Sequence, residues 1–108
     1  MRGEWKCRDW ELDHWSRKLE ADIAFVYRYR DSRNAILDYT RDDITPGQIG
    51  QVLGCLGWES ADTDIEDGYY YDYYYHVDYK GYQLVIETNI ITFGLRLYFI
   101  NEPMPSSI

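Results

Sequence analysis

Apolar residues recur every three or four positions in the first quarter of the chain, which is the period of a helix with one buried face. Asp9 suits an N-cap ahead of this stretch, so the pattern predicts a helix from Asp9 to about Arg30. This helix either continues or restarts at Ser32 and runs through Leu37. Because residues 24–30 also alternate, a strand there is the alternative. The apolar stripe consists of Leu12, Trp15, Leu19, Ile23 and Val26.

A second helix is predicted between Thr45 and Gly57. Thr45 is a favourable N-cap, Pro46 fits the first helical position, and Gln48 stands at the spacing of a capping box. Gly57 is able to end the helix, because glycine adopts the left-handed backbone that helix ends favour. The apolar face of this helix comprises Ile49, Val52, Leu53 and Leu56.

The second half of the chain has the alternation and aromatic content of β-strands, over residues 69–79, 82–88 and 91–100. Lys80-Gly81 predicts a two-residue hairpin turn, which pairs Tyr79 with Tyr82. The predicted fold is therefore α+β, with two or three helices packed on one face of a three-stranded antiparallel meander. The expected organisation is one domain over residues 1–100, with a helical part at 9–57, an acidic loop at 58–68, the sheet at 69–100 and a flexible tail at 101–108.

The predicted register assigns each strand residue to one of two faces. The face toward the helices would carry the apolar residues Tyr75, Val77, Tyr79, Tyr82, Leu84, Ile86, Ile91, Phe93, Leu95, Leu97 and Phe99. The opposite face would carry the polar and acidic residues together with the other tyrosines, namely Tyr70, Asp72, Tyr74, His76, Asp78, Gln83, Val85, Glu87, Thr92, Arg96 and Tyr98.

The chain has 108 residues, of which 45% are apolar, so it is long enough to form one core. No stretch has the length of a membrane-spanning helix, and the N-terminus lacks the apolar region of a signal peptide. The two cysteines, Cys7 and Cys55, are too few for a disulfide scaffold and have no metal-binding spacing. These observations predict a soluble, cytosolic single-domain protein with no cofactor and no membrane contact.

The charge is strongly uneven along the chain. The formal net charge is −8, and residues 42–79 contain nine acidic residues and neither Lys nor Arg. Seven tyrosines follow within the same block, over residues 69–79. A block of one sign is typical of an interaction surface, and its sign repels nucleic acid while it attracts a basic protein. The predicted partner-binding residues are Asp62, Asp64, Glu66, Asp67, Tyr70, Asp72, Tyr74, Asp78 and Glu87.

Other chemistry has weaker support in the sequence. Residues 62–68 resemble the start of a calcium-binding EF-hand loop, but the glycine is one position late and Tyr73 stands where a glutamate is required. Residues 44–54 resemble the first helix and turn of a helix-turn-helix unit, but the segment after them is too acidic to bind DNA. His76 and Asp78 could form a proton-transfer pair, although no catalytic motif surrounds them, and we expect a protein that is not an enzyme.

In its shortness, acidity and charge block, the chain resembles the small nucleic-acid-mimic inhibitors that phages and mobile elements direct against host defence. Anti-CRISPR and anti-restriction proteins are such groups. The resemblance implies a non-catalytic inhibitor that occupies the DNA channel of a basic protein, above all a CRISPR-Cas nuclease, with Tyr70 and Tyr74 in the place of bases. An immunity protein that plugs the basic cleft of a nuclease toxin is the alternative, and a domain that dimerises through its aromatic face is a third.

Overall fold

The computed structural model describes residues 10–32 and 34–101, with side chains of the first helix from Asp13 onward. The elements are α1 (Trp10–Arg28), β1 (Leu37–Asp38), α2 (Pro46–Cys55), β2 (Glu59–Glu66), β3 (Tyr69–Tyr75), a 3₁₀ turn (Val77–Tyr79), β4 (Gln83–Asn89) and β5 (Leu95–Ile100). The strands form one antiparallel sheet in the order β1-β5-β4-β3-β2. The α+β class is confirmed, but this part of the chain has two helices and five strands where a three-stranded meander was predicted.

Helix α1 follows the predicted stripe. Leu19, Ile23 and Val26 are buried, and Trp15 packs against the core from its edge. The helix continues through Arg28, so the alternative of a strand over residues 24–30 is excluded. The predicted N-cap at Asp9 lies outside the described residues.

Helix α2 begins and ends as its sequence predicts. The Gln48 amide donates to the Thr45 hydroxyl at 3.1 Å, and the Thr45 amide donates to the Gln48 side chain at 2.9 Å, which completes the capping box. At the other end, Gly57 has a φ of +93°, and the Trp58 amide donates to the Leu53 carbonyl. This is a Schellman motif, which satisfies carbonyls that the helix end leaves free.

The predicted acidic loop is wrong, because most of it forms strand β2 in a hairpin with β3. The turn is Asp67-Gly68, where both residues have positive φ (53° and 84°), as a type I′ hairpin turn requires. The turn sets the register as far as Asp62, which pairs with Tyr73, and a bulge at Ala61 then shifts it by one residue, so that Ser60 pairs with Tyr74. Without the bulge, Ser60 would stand opposite Tyr75.

Lys80-Gly81 does form the predicted turn, in which the Tyr82 amide donates to the Tyr79 carbonyl at 3.2 Å and Gly81 has a φ of +86°, but the hairpin predicted around this turn is wrong. Strand β3 ends at Tyr75, and the 3₁₀ turn separates it from β4, so that Tyr74 pairs with Leu84. The prediction paired Tyr75 with Ile86, and the two registers differ by an odd number of residues. An odd shift moves every side chain of β3 to the other face of the sheet. The predicted faces of β4 and β5 agree with the structure, because Leu84 pairs with Phe99 and Ile86 with Leu97.

Both helices pack on one face of the sheet and form the main core with β4 and β5. The buried residues of this core are Leu19, Ile23, Tyr39, Ile44, Ile49, Val52, Leu53, Trp58, Leu84, Ile86, Leu95 and Leu97. The other face, called here the open face, carries neither of these helices. Its centre is nevertheless apolar, since Val85 and Tyr75 are buried there.

Three further expectations concern single segments. The predicted helix through Leu37 is wrong, because Leu37 and Asp38 form the short edge strand β1 against β5. Ile91 and Phe93, predicted in a buried strand, lie exposed in the loop before β5. The predicted flexible tail falls outside the described residues from position 102 onward.

Cys55 is disulfide-bonded. The only other cysteine of the sequence, Cys7, lies outside the described residues.

Candidate protein-interaction surface

The hairpin of β2 and β3 places three carboxylates beside three tyrosines on the open face. Residues that pair directly across an antiparallel sheet share a face. The pairs are Asp62 with Tyr73, Asp64 with Tyr71, and Glu66 with Tyr69. The acids are exposed and the tyrosines half-buried, so the two rows form a continuous acidic and aromatic surface.

The acidic row lies along β2, which is an edge strand of the sheet. Because hydrogen-bonded and non-hydrogen-bonded pairs alternate from the turn, the amides of Thr63 and Ile65 point to the free edge. The Thr63 amide donates to Asp62 Oδ1 at 2.8 Å, and the Ile65 amide donates to Asp64 Oδ1 at 2.9 Å. The two carboxylates thus occupy backbone amides that could otherwise pair with a strand of another protein. The free edge of β2 therefore offers mainly carbonyl and carboxylate oxygens, with negative charge.

The tyrosines of β3 form a ladder of rings. The centroids of Tyr69 and Tyr71 are 6.2 Å apart, and those of Tyr71 and Tyr73 are 6.4 Å apart, with interplanar angles of 30° and 26°. Partial burial raises the pKa of Tyr71, and the charges of Glu87 and Glu66 raise it further. The Tyr71 phenol therefore stays protonated at neutral pH and can donate a hydrogen bond next to the carboxylates.

Tyr98 and Glu87 extend the surface onto β5 and β4. The Tyr98 hydroxyl donates to Glu87 Oε1 at 3.0 Å. Burial and this hydrogen bond hold the pKa of Tyr98 well above its usual range. Tyr98 also pairs with Val85, which in turn pairs with Tyr73, so the aromatic surface crosses the sheet from β3 to β5.

The far side of the open face has mixed charge. Arg96 lies between Glu87 and Asp38 in the register of β4, β5 and β1. Hydrogen bonds from Thr40, together with the charges of Arg96 and Arg41, lower the pKa of Asp38. These charged residues and Tyr69 line a polar cavity of about 430 Å³. Its two arginines and two acids balance, so the excess negative charge of the face lies toward β2.

The structure brings together four of the predicted site residues and separates the other five. Asp62, Asp64, Glu66 and Glu87 share the open face. Asp67 lies in the hairpin turn, and Asp78 lies in the 3₁₀ turn with its side chain 78% exposed. Three residues were assigned to the wrong face and lie on the helix side, namely Tyr70, Asp72 and Tyr74.

The misassigned residues have different surroundings from those predicted. Tyr74 packs against the core, with its hydroxyl close to helix α2 at Gly50. Asp72 is half-buried, and the loss of hydration raises its pKa. Tyr69, Tyr71 and Tyr73 were not predicted as surface residues of the acidic face, whereas Tyr98 was predicted on this face but not among the partner-binding residues. Asp67-Gly68 is the signal that could have located the hairpin.

His76 lacks a free nitrogen for the proton transfer considered from the sequence. Its Nδ1 accepts from the Asp78 amide at 3.0 Å, so Nε2 carries the proton and donates to the Leu56 carbonyl at 2.9 Å. The Asp78 carboxylate lies 3.7 Å from Nδ1 of His76. Tyr74, which was predicted on the same face as His76, instead lies against helix α2. The contacts of His76 are those of a residue that holds the fold together.

Neither a metal-binding cluster nor a membrane-spanning helix is present among the described residues. No group of three or more His, Cys, Asp or Glu within them could hold a metal ion, and the segment considered for calcium forms β2 and its turn. Neither helix there has the length and apolar character needed to cross a membrane. Comparison of the chain with known proteins gave no match to a protein family, a curated protein or a solved structure.

Proposed function

We propose that this protein is a non-catalytic inhibitor that binds a nucleic-acid-handling protein, above all a CRISPR-Cas nuclease, and competes with its DNA. The observation that carries the proposal is the repeated pairing of one carboxylate with one tyrosine, as in Asp64 and Tyr71, along the open face. The binding surface is the acidic and aromatic surface comprising Asp62, Asp64, Glu66, Tyr69, Tyr71, Tyr73, Glu87 and Tyr98.

The spacing of these pairs supports mimicry of an extended nucleic-acid strand. Successive pairs are two residues apart along a strand, which corresponds to about 6.7 Å. Each pair offers one anion and one flat ring, as each nucleotide offers a phosphate and a base. Channels that hold single strands combine a basic groove with aromatic or arginine side chains that stack on bases. Such a channel could accept the carboxylates along its groove and the rings on its stacking side chains.

The charge distribution supports a basic protein as the partner. The open face carries its excess acid at β2, and the block over residues 42–79 has no Lys or Arg to offset it. Attraction between this surface and a basic groove would accelerate association and weaken as salt screens it. DNA itself would be repelled by the same charge, which is why we propose a protein partner.

The test is target-DNA binding by a panel of guide-loaded CRISPR nucleases, measured with and without the protein at low and high salt. We expect one member of the panel to lose DNA binding, and we expect added salt to restore it. Inhibition that salt does not relieve would replace mimicry by a shape-specific mechanism. No inhibition of any member would reject the proposed partner, and nuclease toxins would then test the immunity alternative in the same assay.

A triple charge reversal identifies the surface. Asp62→Lys, Asp64→Lys and Glu66→Lys together should abolish inhibition, and lysine on an edge strand still discourages aggregation. The matched control reverses Asp31, Asp42 and Asp43, which are also exposed but lie outside the open face. Both triple variants change the net charge equally. Loss of inhibition in both would mean that overall charge, rather than this surface, is what the partner binds.

A further inference from the structure

The loop between β4 and β5 exposes an unusual amount of apolar surface. Phe93 is 72% exposed, Ile91 83% and Ile90 45%. Exposed apolar side chains grouped in one short loop are typical of interaction sites, whereas single ones are common on any surface.

Phe93 also has a left-handed backbone, with a φ of +62°. Glycine or asparagine is the usual residue in this conformation, and a phenylalanine there costs stability. Its exposed ring recovers little of that cost through packing. The residue therefore lowers the stability of the free protein through its backbone, and its exposed side chain does not offset that cost. Strained residues of this kind concentrate at functional sites.

Hydrogen bonds hold the loop in this conformation. The Phe93 amide donates to the Asn89 carbonyl at 2.8 Å, and the Asn89 amide donates to the Gly94 carbonyl at 2.8 Å. The Asn89 side chain accepts from the amides of Ile91 and Thr92 at 2.9 and 3.0 Å. The loop is thus prepared before any partner binds, which reduces the entropy lost on binding.

The loop adjoins the acidic hairpin. The Ile90 amide donates at 2.9 Å to the carbonyl of Gly68, which belongs to the Asp67-Gly68 turn that follows Glu66. A partner that binds the acidic row therefore meets the loop at the same end of the sheet. We propose that Phe93, supported by Ile91, is an apolar anchor that enters a pocket beside the basic groove of that partner. This inference rests on the proposed function.

The neighbouring charges favour a protein over a membrane as the occupant. Membrane-binding loops combine apolar side chains with Lys or Arg, which anionic lipids attract. The charged residues beside this loop are the acids Glu66 and Asp67 of the hairpin and, in the polar cavity that Thr92 and Gly94 help to line, two arginines balanced by two acids, so the surroundings of the loop are negative overall. Association of two copies of the chain through this loop would bring two such acidic turns together, and repulsion between their like charges would oppose it.

The test compares Phe93→Asn with Phe93→Leu. Asparagine takes the left-handed backbone readily but removes the ring, whereas leucine keeps an apolar side chain and the strain. For Phe93→Asn we expect the Tm to rise by roughly 2–5 °C while affinity for the inhibited nuclease falls at least tenfold. For Phe93→Leu we expect little change in Tm and a loss of affinity below threefold. Phe25→Gln is the control, because Phe25 is 62% exposed on α1 and should leave affinity unchanged.

The outcomes separate this inference from the proposed function. Binding that survives Phe93→Asn but is lost on charge reversal of β2 overturns the anchor and keeps the function. If a nuclease binds the protein without losing its DNA, and Phe93→Asn abolishes that binding, the anchor is kept and competition with DNA is rejected. A fall in Tm for Phe93→Asn overturns the anchor, because the phenylalanine would then serve the fold. Binding to vesicles of anionic phospholipid that Phe93→Asn abolishes would replace the protein partner by a membrane.

Discussion

The imidazole of His76 donates a hydrogen bond to the backbone carbonyl of Leu56, 2.9 Å away, and so ties the end of β3 to the end of α2. The same ring lies 5.1 Å from the indole of Trp58, measured between centroids, and only 3.0 Å from the position that a Cβ at Gly57 would occupy. Glycine at position 57 thus serves both the Schellman motif and the approach of His76.

Replacing His76 should therefore destabilise the fold. His76→Phe keeps a ring beside Trp58 but leaves the Leu56 carbonyl and the Asp78 amide without their partner. We expect the free energy of unfolding to fall by about 1–3 kcal/mol, measured by urea denaturation. Val77→Ala is the control, because Val77 is 60% exposed, and its effect should stay within about 0.5 kcal/mol. Equal effects of the two substitutions would contradict the role of this ring in joining the two elements.

Two glycines of α2 should respond differently to alanine. A Cβ at Gly54 would meet nothing within 4 Å, whereas a Cβ at Gly50 would lie 2.8 Å from the Tyr74 hydroxyl. Gly54→Ala should stabilise the protein by about 0.5–1 kcal/mol through helix propensity, and Gly50→Ala should gain less because the Tyr74 ring must move. Thermal denaturation measures both effects.

A double mutant completes this test. Tyr74→Phe removes the hydroxyl, so Gly50→Ala should be more favourable in that background than in the wild type. Additive effects of the two changes would mean that Tyr74 does not lie against α2.

Helix α2 and strand β3 show where sequence analysis succeeds and where it fails. The ends of α2 depend on local contacts of Thr45, Gln48 and Gly57, and such contacts can be predicted from residues a few positions apart in the sequence. The faces of β4 and β5 were predicted correctly because Leu95 and Leu97 flank Arg96, and because Gln83 and Glu87 bound the apolar run over residues 84–86.

Strand β3 lacks such contrast. In residues 69–75, tyrosine occupies six of seven positions, so there is no alternation of apolar and polar residues that would assign a buried face. A tyrosine can bury its ring or expose its hydroxyl, so either face is compatible with it. The predicted face of β3 then depended entirely on the position of the hairpin turn, which was predicted at Lys80-Gly81, whereas the turn that sets the β3 register is Asp67-Gly68. That prediction also misplaced Tyr70, Asp72 and Tyr74 in the candidate site.

Asp72 should make stability depend on pH. Burial raises its pKa, so the ionised form is disfavoured in the folded state. A raised pKa contributes stability below the unfolded value, near 4, and that contribution is lost as the pH rises through the folded value. Asp72→Asn should therefore stabilise the protein at pH 7, and the gain should fade below about pH 4.

Urea denaturation across this pH range checks the expectation for Asp72. Asp43→Asn changes the net charge equally at an exposed site and serves as the control. A gain of the same size in both variants would assign the effect to net charge. Unchanged inhibition by Asp72→Asn would also agree with the helix-side position of this residue.

Adjacent tyrosines of β3 test which face binds the partner. Tyr71 lies on the open face within the ladder, and Tyr70 lies on the opposite face beside Ile65. Tyr71→Ala should weaken binding to the inhibited nuclease at least tenfold, about 1.4 kcal/mol, because it removes the central ring between Tyr69 and Tyr73. Tyr70→Ala should weaken binding less than threefold. Competition with labelled target DNA measures both, and circular dichroism checks that each variant is folded. A larger effect of Tyr70→Ala would move the binding surface to the helix side of the hairpin.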